Sequence, residues 1–171
     1  EYDCSNHSHG HSHIHSNDHS HSHGHEHAHS HTSLSDIRQS IDNFDISDNV
    51  KHHAFQIYQI IAQEESVAHG QPVEQIHFHE VGEKDAIVDI VGVCMLIEEL
   101  SPDKIFVSPV HLGSGNVKTS HGILPVPAPA TAHILEGIPV YAGSIQGELC
   151  TPTGAAILRY FSDGFCSMPP M

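Results

Sequence analysis

The feature that most limits what this chain can fold into is a run near its start in which histidine alternates with small polar residues. Between Asn6 and His31 it places twelve imidazoles, those of His7, His9, His11, His13, His15, His19, His21, His23, His25, His27, His29 and His31. Fixing backbone costs about 1 to 2 kcal/mol per residue, and with little more than Ile14 and Ala28 to bury, no core offsets that cost. The segment is expected to be disordered until a ligand organises it. Neutral imidazole suits Ni, Cu and Zn, whereas Mg and Ca want oxygen donors. A cloning tag would be an uninterrupted run of histidines, and an inert linker would not alternate them, so the pattern points to a borderline transition metal. A chain that exchanges many donors fits delivery or buffering. A reaction centre needs a fixed ligand set with an open position, and is sought further along.

The remainder has room for one folded domain in a total of 171 residues. Residues 1–33 are taken as the His-rich metal-binding segment and 34–171 as an α/β region, incomplete at both ends, with a mixed sheet and packed helices; an α+β arrangement is the alternative. The formal charge of −15 repels phosphate backbones, which argues against nucleic acid as a partner. No apolar run approaches the roughly 20 residues that cross a bilayer, so no membrane partner is expected. The start at Glu1 and the lack of a charged-then-apolar leader read as a cytoplasmic fragment. Four widely spaced cysteines fit neither a disulfide framework nor a structural zinc site, and Cys94 reads as a small core residue.

Ile37, Ile41 and Phe44 recur at helical spacing behind Ser33 and Ser35, predicting a short helix that ends near Asn43. A second helix is predicted from a cap at Ser47 to a stop at Gly70 and Pro72. Its stripe is Val50, Ala54, Ile57, Ile61, Ala62 and Val67, with His52, His53 and His69 read as surface residues. Gln75 to Val81 alternates apolar and polar residues as a strand should, which turns His77 and His79 to one side. Asp85 is the expected cap of a helix through Leu100, so apolar that burial on most sides is predicted.

His77, His79, Glu80, Asp85 and Asp89 are therefore the candidate metal ligands of the folded part, because mixed imidazole and carboxylate donors suit Ni, Mn, Zn or Fe. A carboxylate inside so apolar a helix is costly unless paired or ligated. The competing reading is a wet strand face beside a capping aspartate.

Lys104 to Val110 reads as a strand running into Gly113, Ser114 and Gly115, a loop close enough to backbone to accept a phosphate or simply to turn. No Walker-type loop is present. Pro125, Pro127 and Pro129 fix an extended track into a helix over Ala130 to Leu135, which could position His121. Thr151, Thr153 and Gly154 open a last helix whose amides and hydroxyls make a candidate anion seat; Thr153 as a plain cap is the alternative.

Five strings, His77 to Gly82 (HFHEVG), Asp85 to Gly92 (DAIVDIVG), Ser108 to Gly115 (SPVHLGSG), His121 to Thr131 (HGILPVPAPAT) and Glu148 to Ala156 (ELCTPTGAA), occur in this order. Together with the histidine tract they resemble the nickel-insertion proteins of lactate racemase cofactor biosynthesis. The resemblance implies a chelatase, a cyclometallase of the lyase class. Such an enzyme places Ni(II) in pyridinium-3,5-bisthiocarboxylic acid mononucleotide through carbon–nickel and sulfur–nickel bonds. It further implies CTP as co-substrate, Mn(II) or Mg(II) as its companion ion, other proteins of the lactate racemase pathway as partners, and room for a homo-oligomer. Glu80 is the candidate base of that reaction. Two other readings stand beside it: a nickel store or chaperone without catalysis, and a phosphate-transferring enzyme with an incidental histidine tail.

Overall fold

A computed structural model of the chain describes residues 32–78, 81–119 and 122–167. The histidine tract from His7 to His31, together with His79, Glu80 and His121, lies outside the described residues.

Helix α1 (Leu34–Asp42) begins at Ser33, whose hydroxyl accepts from the Asp36 amide while the Asp36 carboxylate accepts from the Ser33 amide, a reciprocal capping box. The Ser33 hydroxyl also donates to the Asp36 carboxylate at 2.6 Å, and this bond first, then the one from the Ser33 amide, holds the Asp36 carboxyl below its ordinary range. Helix α2 (Asp48–His69) is capped by Ser47 and ends at Gly70, whose φ of 62° is left-handed backbone that glycine adopts without strain. Its buried stripe is Val50, Ala54, Ile57, Tyr58, Ile61 and Ala62. Val67, expected on that stripe, is instead 60% exposed, because the last turns of α2 run past the core.

Helix α3 (Lys84–Leu100) starts two residues earlier than expected, and its cap position is Glu83, not Asp85. Asp85 lies in the first turn and accepts from the Ala86 amide at 2.9 Å. Ile87, Ile90, Val91 and Cys94 are buried, whereas Val88, Met95, Leu96 and Leu100 are exposed, so burial on most sides is corrected to burial of one face. Its apolar composition marks both faces alike, and only the inner one meets α2. Glu98 ties the far end down by accepting from the Ser47 hydroxyl and the Asn49 amide nitrogen.

The α/β reading holds, with the strand content among the described residues divided into five two-stranded ladders. Strand β1 (Thr32–Ser33) pairs antiparallel with β2 (His77–Phe78), Ser33 opposite His77. A 3-10 turn at Val73–Gln75 shortens the strand expected from Gln75. The expected strand Lys104 to Val110 is two: β3 (Phe106–Val107) and β4 (Val110–His111), broken around Pro109. β5 (Gly113–Ser114) follows, and β6 (Asn116–Thr119) and β7 (Gly122–Pro125) make an antiparallel hairpin. The proline track leads through a cis Val126–Pro127 bond into α4 (Pro129–Ile134). β8 (Val140–Tyr141) lies parallel to β4, β9 (Gly147–Glu148) antiparallel to β5, and after α5 (Pro152–Phe161) β10 (Gly164–Phe165) lies parallel to β3.

Helix α2 is the hub: α1, α3, α4 and α5 all pack on it. Ile57, Ile61, Ile90, Ile134 and Ala155 belong to the continuous core between them. Arg159 of α5 donates to the carbonyl oxygens of Ile134 and Glu136, fastening α5 to the end of α4. No helix among the described residues is long and apolar enough to cross a membrane.

Candidate functional site

The end of α2, strand β2 and the starts of α4 and α5 enclose a cavity of about 260 Å³. Each wall follows from local chemistry. Gly70 ends α2 and turns the chain toward β2, leaving Glu65, Ala68 and His69 on the cavity side. β2 buries Phe78 in the core while His77 is exposed, as strand alternation requires, and both line the cavity. Gly82 lets the following segment cross closely over this ladder, since a Cβ there would sit 2.8 Å from the Phe78 Cβ and 2.9 Å from that of Thr32. Val81 is held by its carbonyl oxygen, which accepts from the Tyr58 hydroxyl at 3.1 Å.

The opposite wall is Thr119 and Leu124 from the hairpin, Ala128, Pro129 and Ala130 from the proline track, Glu148 from β9 and Pro152 from α5. Apolar surface thus alternates with two carboxylates and two imidazoles, and among the described residues neither lysine nor arginine lines the space. Such a lining favours a cation and a flat apolar group over a free phosphate. Its size falls just below the roughly 300 to 1,000 Å³ usual for small-molecule clefts, enough for a substituted ring.

Of the expected metal ligands, His77 lines the cavity, and Asp85 and Asp89 do not. Both aspartates are exposed on the first turns of α3, so the helix interior never demanded partners for them. They stand within electrostatic reach of Tyr58, whose hydroxyl is held far above its ordinary range by burial first and then by these two charges. Among the described residues no three His, Cys, Asp or Glu side chains converge as a ready-made metal shell.

Gly113, Ser114 and Gly115 lie away from the cavity lining. Their glycines serve packing: a Cβ on Gly113 would collide with the Gly147 carbonyl oxygen, and one on Gly115 with the Gln146 side chain. Ser114 donates to the Ile145 carbonyl at 2.8 Å. At α5 the cap is Thr151, whose Oγ1 accepts from the Gly154 amide at 3.3 Å and lies 2.9 Å from Thr153 Oγ1. Thr153 is therefore not the cap, and this helix start reaches the cavity through Pro152.

Sequence reasoning passed over Glu65, Thr119 and Phe78 as cavity residues and left His69 on the surface. Phe78 is buried. The recoverable signal was the four-residue spacing of Glu65 and His69, which aligns them on one helix face. His53, also read as a surface residue, is half-buried, its Nδ1 2.8 Å from the Tyr160 hydroxyl.

A family model described as nickel insertion protein matches residues 1–171. Relatives called pyridinium-3,5-bisthiocarboxylic acid mononucleotide nickel insertion protein include one from Desulfitobacterium hafniense (strain DSM 10664 / DCB-2). It is 48% identical over 136 residues, which is 80% of this chain and 34% of that protein. One from Staphylococcus saprophyticus is 47% identical over 125 residues, 73% of this chain and 32% of that protein. One from Staphylococcus epidermidis is 42% identical over 136 residues, 80% of this chain and 34% of that protein. The matched part spans about a third of the length of these relatives. No solved structure matches.

Proposed function

The chain belongs to the nickel insertion protein family, and from that premise we propose that its cavity is where nickel enters pyridinium-3,5-bisthiocarboxylic acid mononucleotide. One observation carries the reading: three separate motif strings meet at this cavity. His77, Phe78 and Val81 come from the first, Leu124 and Ala128 to Ala130 from the fourth, and Glu148 and Pro152 from the fifth.

The substrate's name fixes much of the chemistry. Two thiocarboxylic groups flank one ring carbon, so an ion held by both sulfurs faces that carbon's C–H bond. When this bond breaks, its electron pair becomes the carbon–nickel bond and its proton passes to a base; nickel stays divalent and no redox partner is needed. Glu80 is the assigned base, with His77 and His79 as donors that present the ion. Asp85 and Asp89 supply negative potential from the neighbouring helix start. The apolar wall around Phe78, Leu124 and Pro129 takes the ring, and the acidic rim suits its positive charge. Thr151, Thr153 and Gly154, at the α5 start beside Pro152, are the assigned seat of a phosphate. CTP with Mn(II) or Mg(II) is the assigned co-substrate pair.

The test is made in a complete family member, incubating it with Ni(II), CTP and the thiolated mononucleotide and following the metallated product by mass. Replacing His77 and His79 together by alanine is expected to abolish product while circular dichroism stays unchanged. Full product formation by that variant would reject the site.

A further inference from the structure

We infer that Glu65 and His69 form a two-donor handhold for a divalent transition-metal ion on the α2 wall of the cavity, a role that neither the motif strings nor the family description assigns. That the ion is nickel on its way to the substrate rests on the insertion reading above; that the pair binds a metal does not.

Three observations carry it. The four-residue spacing places both side chains on one face, one helical turn apart, and His69 Nε2 lies 3.3 Å from a Glu65 carboxylate oxygen. Two donors that share an ion through bonds of about 2.0 to 2.2 Å, at angles between a right angle and the tetrahedral one, lie roughly 2.8 to 3.6 Å apart. The pair is thus already spaced as two ligands of one ion. Secondly, both side chains open on the cavity that His77 and Glu148 also line, so an ion held there meets the space where the ring is placed. Thirdly, the pair sits in the last turns of α2, next to its Gly70 cap. Although the Gly70 turn satisfies the Ser66 and Val67 carbonyls, the negative end of the helix dipole there attracts positive charge.

Among the described residues no third His, Cys, Asp or Glu side chain converges with this pair as a metal shell, so the pair by itself leaves coordination positions open. An ion so held can be taken over by the sulfurs of an incoming thiocarboxylate ligand without first leaving the protein, whereas a closed four-donor shell would trap it. The handhold passes nickel onward and does not touch the breaking C–H bond.

The experiment uses the full chain with the twelve tract histidines, His7 to His31, changed to asparagine so that they do not compete. It is titrated with Ni(II) alone and with Co(II), whose visible absorption reports the donor set. The expected result is one ion per chain, with Glu65→Gln and His69→Gln each weakening binding by about tenfold or more and changing the Co(II) spectrum. In case either variant unfolds, the imidazole nitrogen signals of the same chain without those two changes are followed during titration, and that of His69 Nε2 should move with bound metal. Unchanged affinity in both folded variants, or an unmoved His69 signal at saturation, overturns the inference and leaves the insertion reading standing. A complete enzyme that binds metal at the pair yet never metallates the mononucleotide overturns the insertion reading instead.

Discussion

Cys94 and Cys150 are buried while Cys166 is exposed, and all three are free thiols. Burial pushes the Cys94 thiol up to about 12. It also raises that of Cys150, where the nearby Glu148 carboxylate adds to the effect. The thiolate is the nucleophile, so a thiol that is both buried and raised reacts slowly near neutrality. Alkylation of the native protein at pH 8 followed by peptide mapping should therefore label Cys166 and spare Cys94 and Cys150. The same displacement sets a pH dependence. An unfolded thiol ionises near pH 9 and the folded one only higher, so the stabilisation is whole below about pH 9 and fades as pH rises toward 12. Denaturant midpoints measured from pH 7 to 11 should fall at the alkaline end, and Cys94→Ala should flatten that fall. Labelling of Cys94 as fast as Cys166 in the folded protein would contradict its placement.

At the scale of elements, α2 decides whether the molecule holds together, since four other helices lean on it. Ile57 is fully buried in its middle turns, and Ile57→Ala should destabilise by about 2 to 5 kcal/mol, seen as a lower urea midpoint with an unchanged slope. A loss under 1 kcal/mol would mean that α2 is not the hub. This helix was also the most legible part of the chain, because Ser47, Gly70 and a sustained apolar period are local signals that need no partner. Outside the β6–β7 hairpin the ladders were not legible for the opposite reason: two residues show no alternation, and β3 and β10 find each other from distant parts of the chain. Composition misled at α3, where Leu96 and Leu100 look like core and face outward. For the site, the motif strings named the right segments, and His77 was found, but strings do not say which side chains meet. Glu65 and His69 lie in an ordinary helix outside every string, and only the fold brings them beside His77 and Glu148.

At the scale of the whole molecule, two kinds of histidine usage have to be told apart. Twelve tract imidazoles precede a folded region whose cavity presents only His69 and His77 among the described residues. Tethered donors raise the local concentration of an ion near whatever they are tethered to, which matters when nickel is scarce and not when it is abundant. An insertion enzyme lacking residues 6–31 should thus lose most of its rate at nickel concentrations below its half-saturation point, yet keep most of its maximal turnover at saturating nickel. A store or chaperone without catalysis behaves otherwise: it loses nearly all its bound nickel and its function with the tract, at any supply. Because the matched region is about a third of its relatives' length, the deletion belongs in a complete protein, with product formation plotted against free nickel. A curve that shifts to higher nickel but reaches the same plateau assigns the chemistry to the folded part. A plateau that collapses with the tract assigns the tract a direct part in insertion, and the cavity would then lose its claim to be where the metal changes hands.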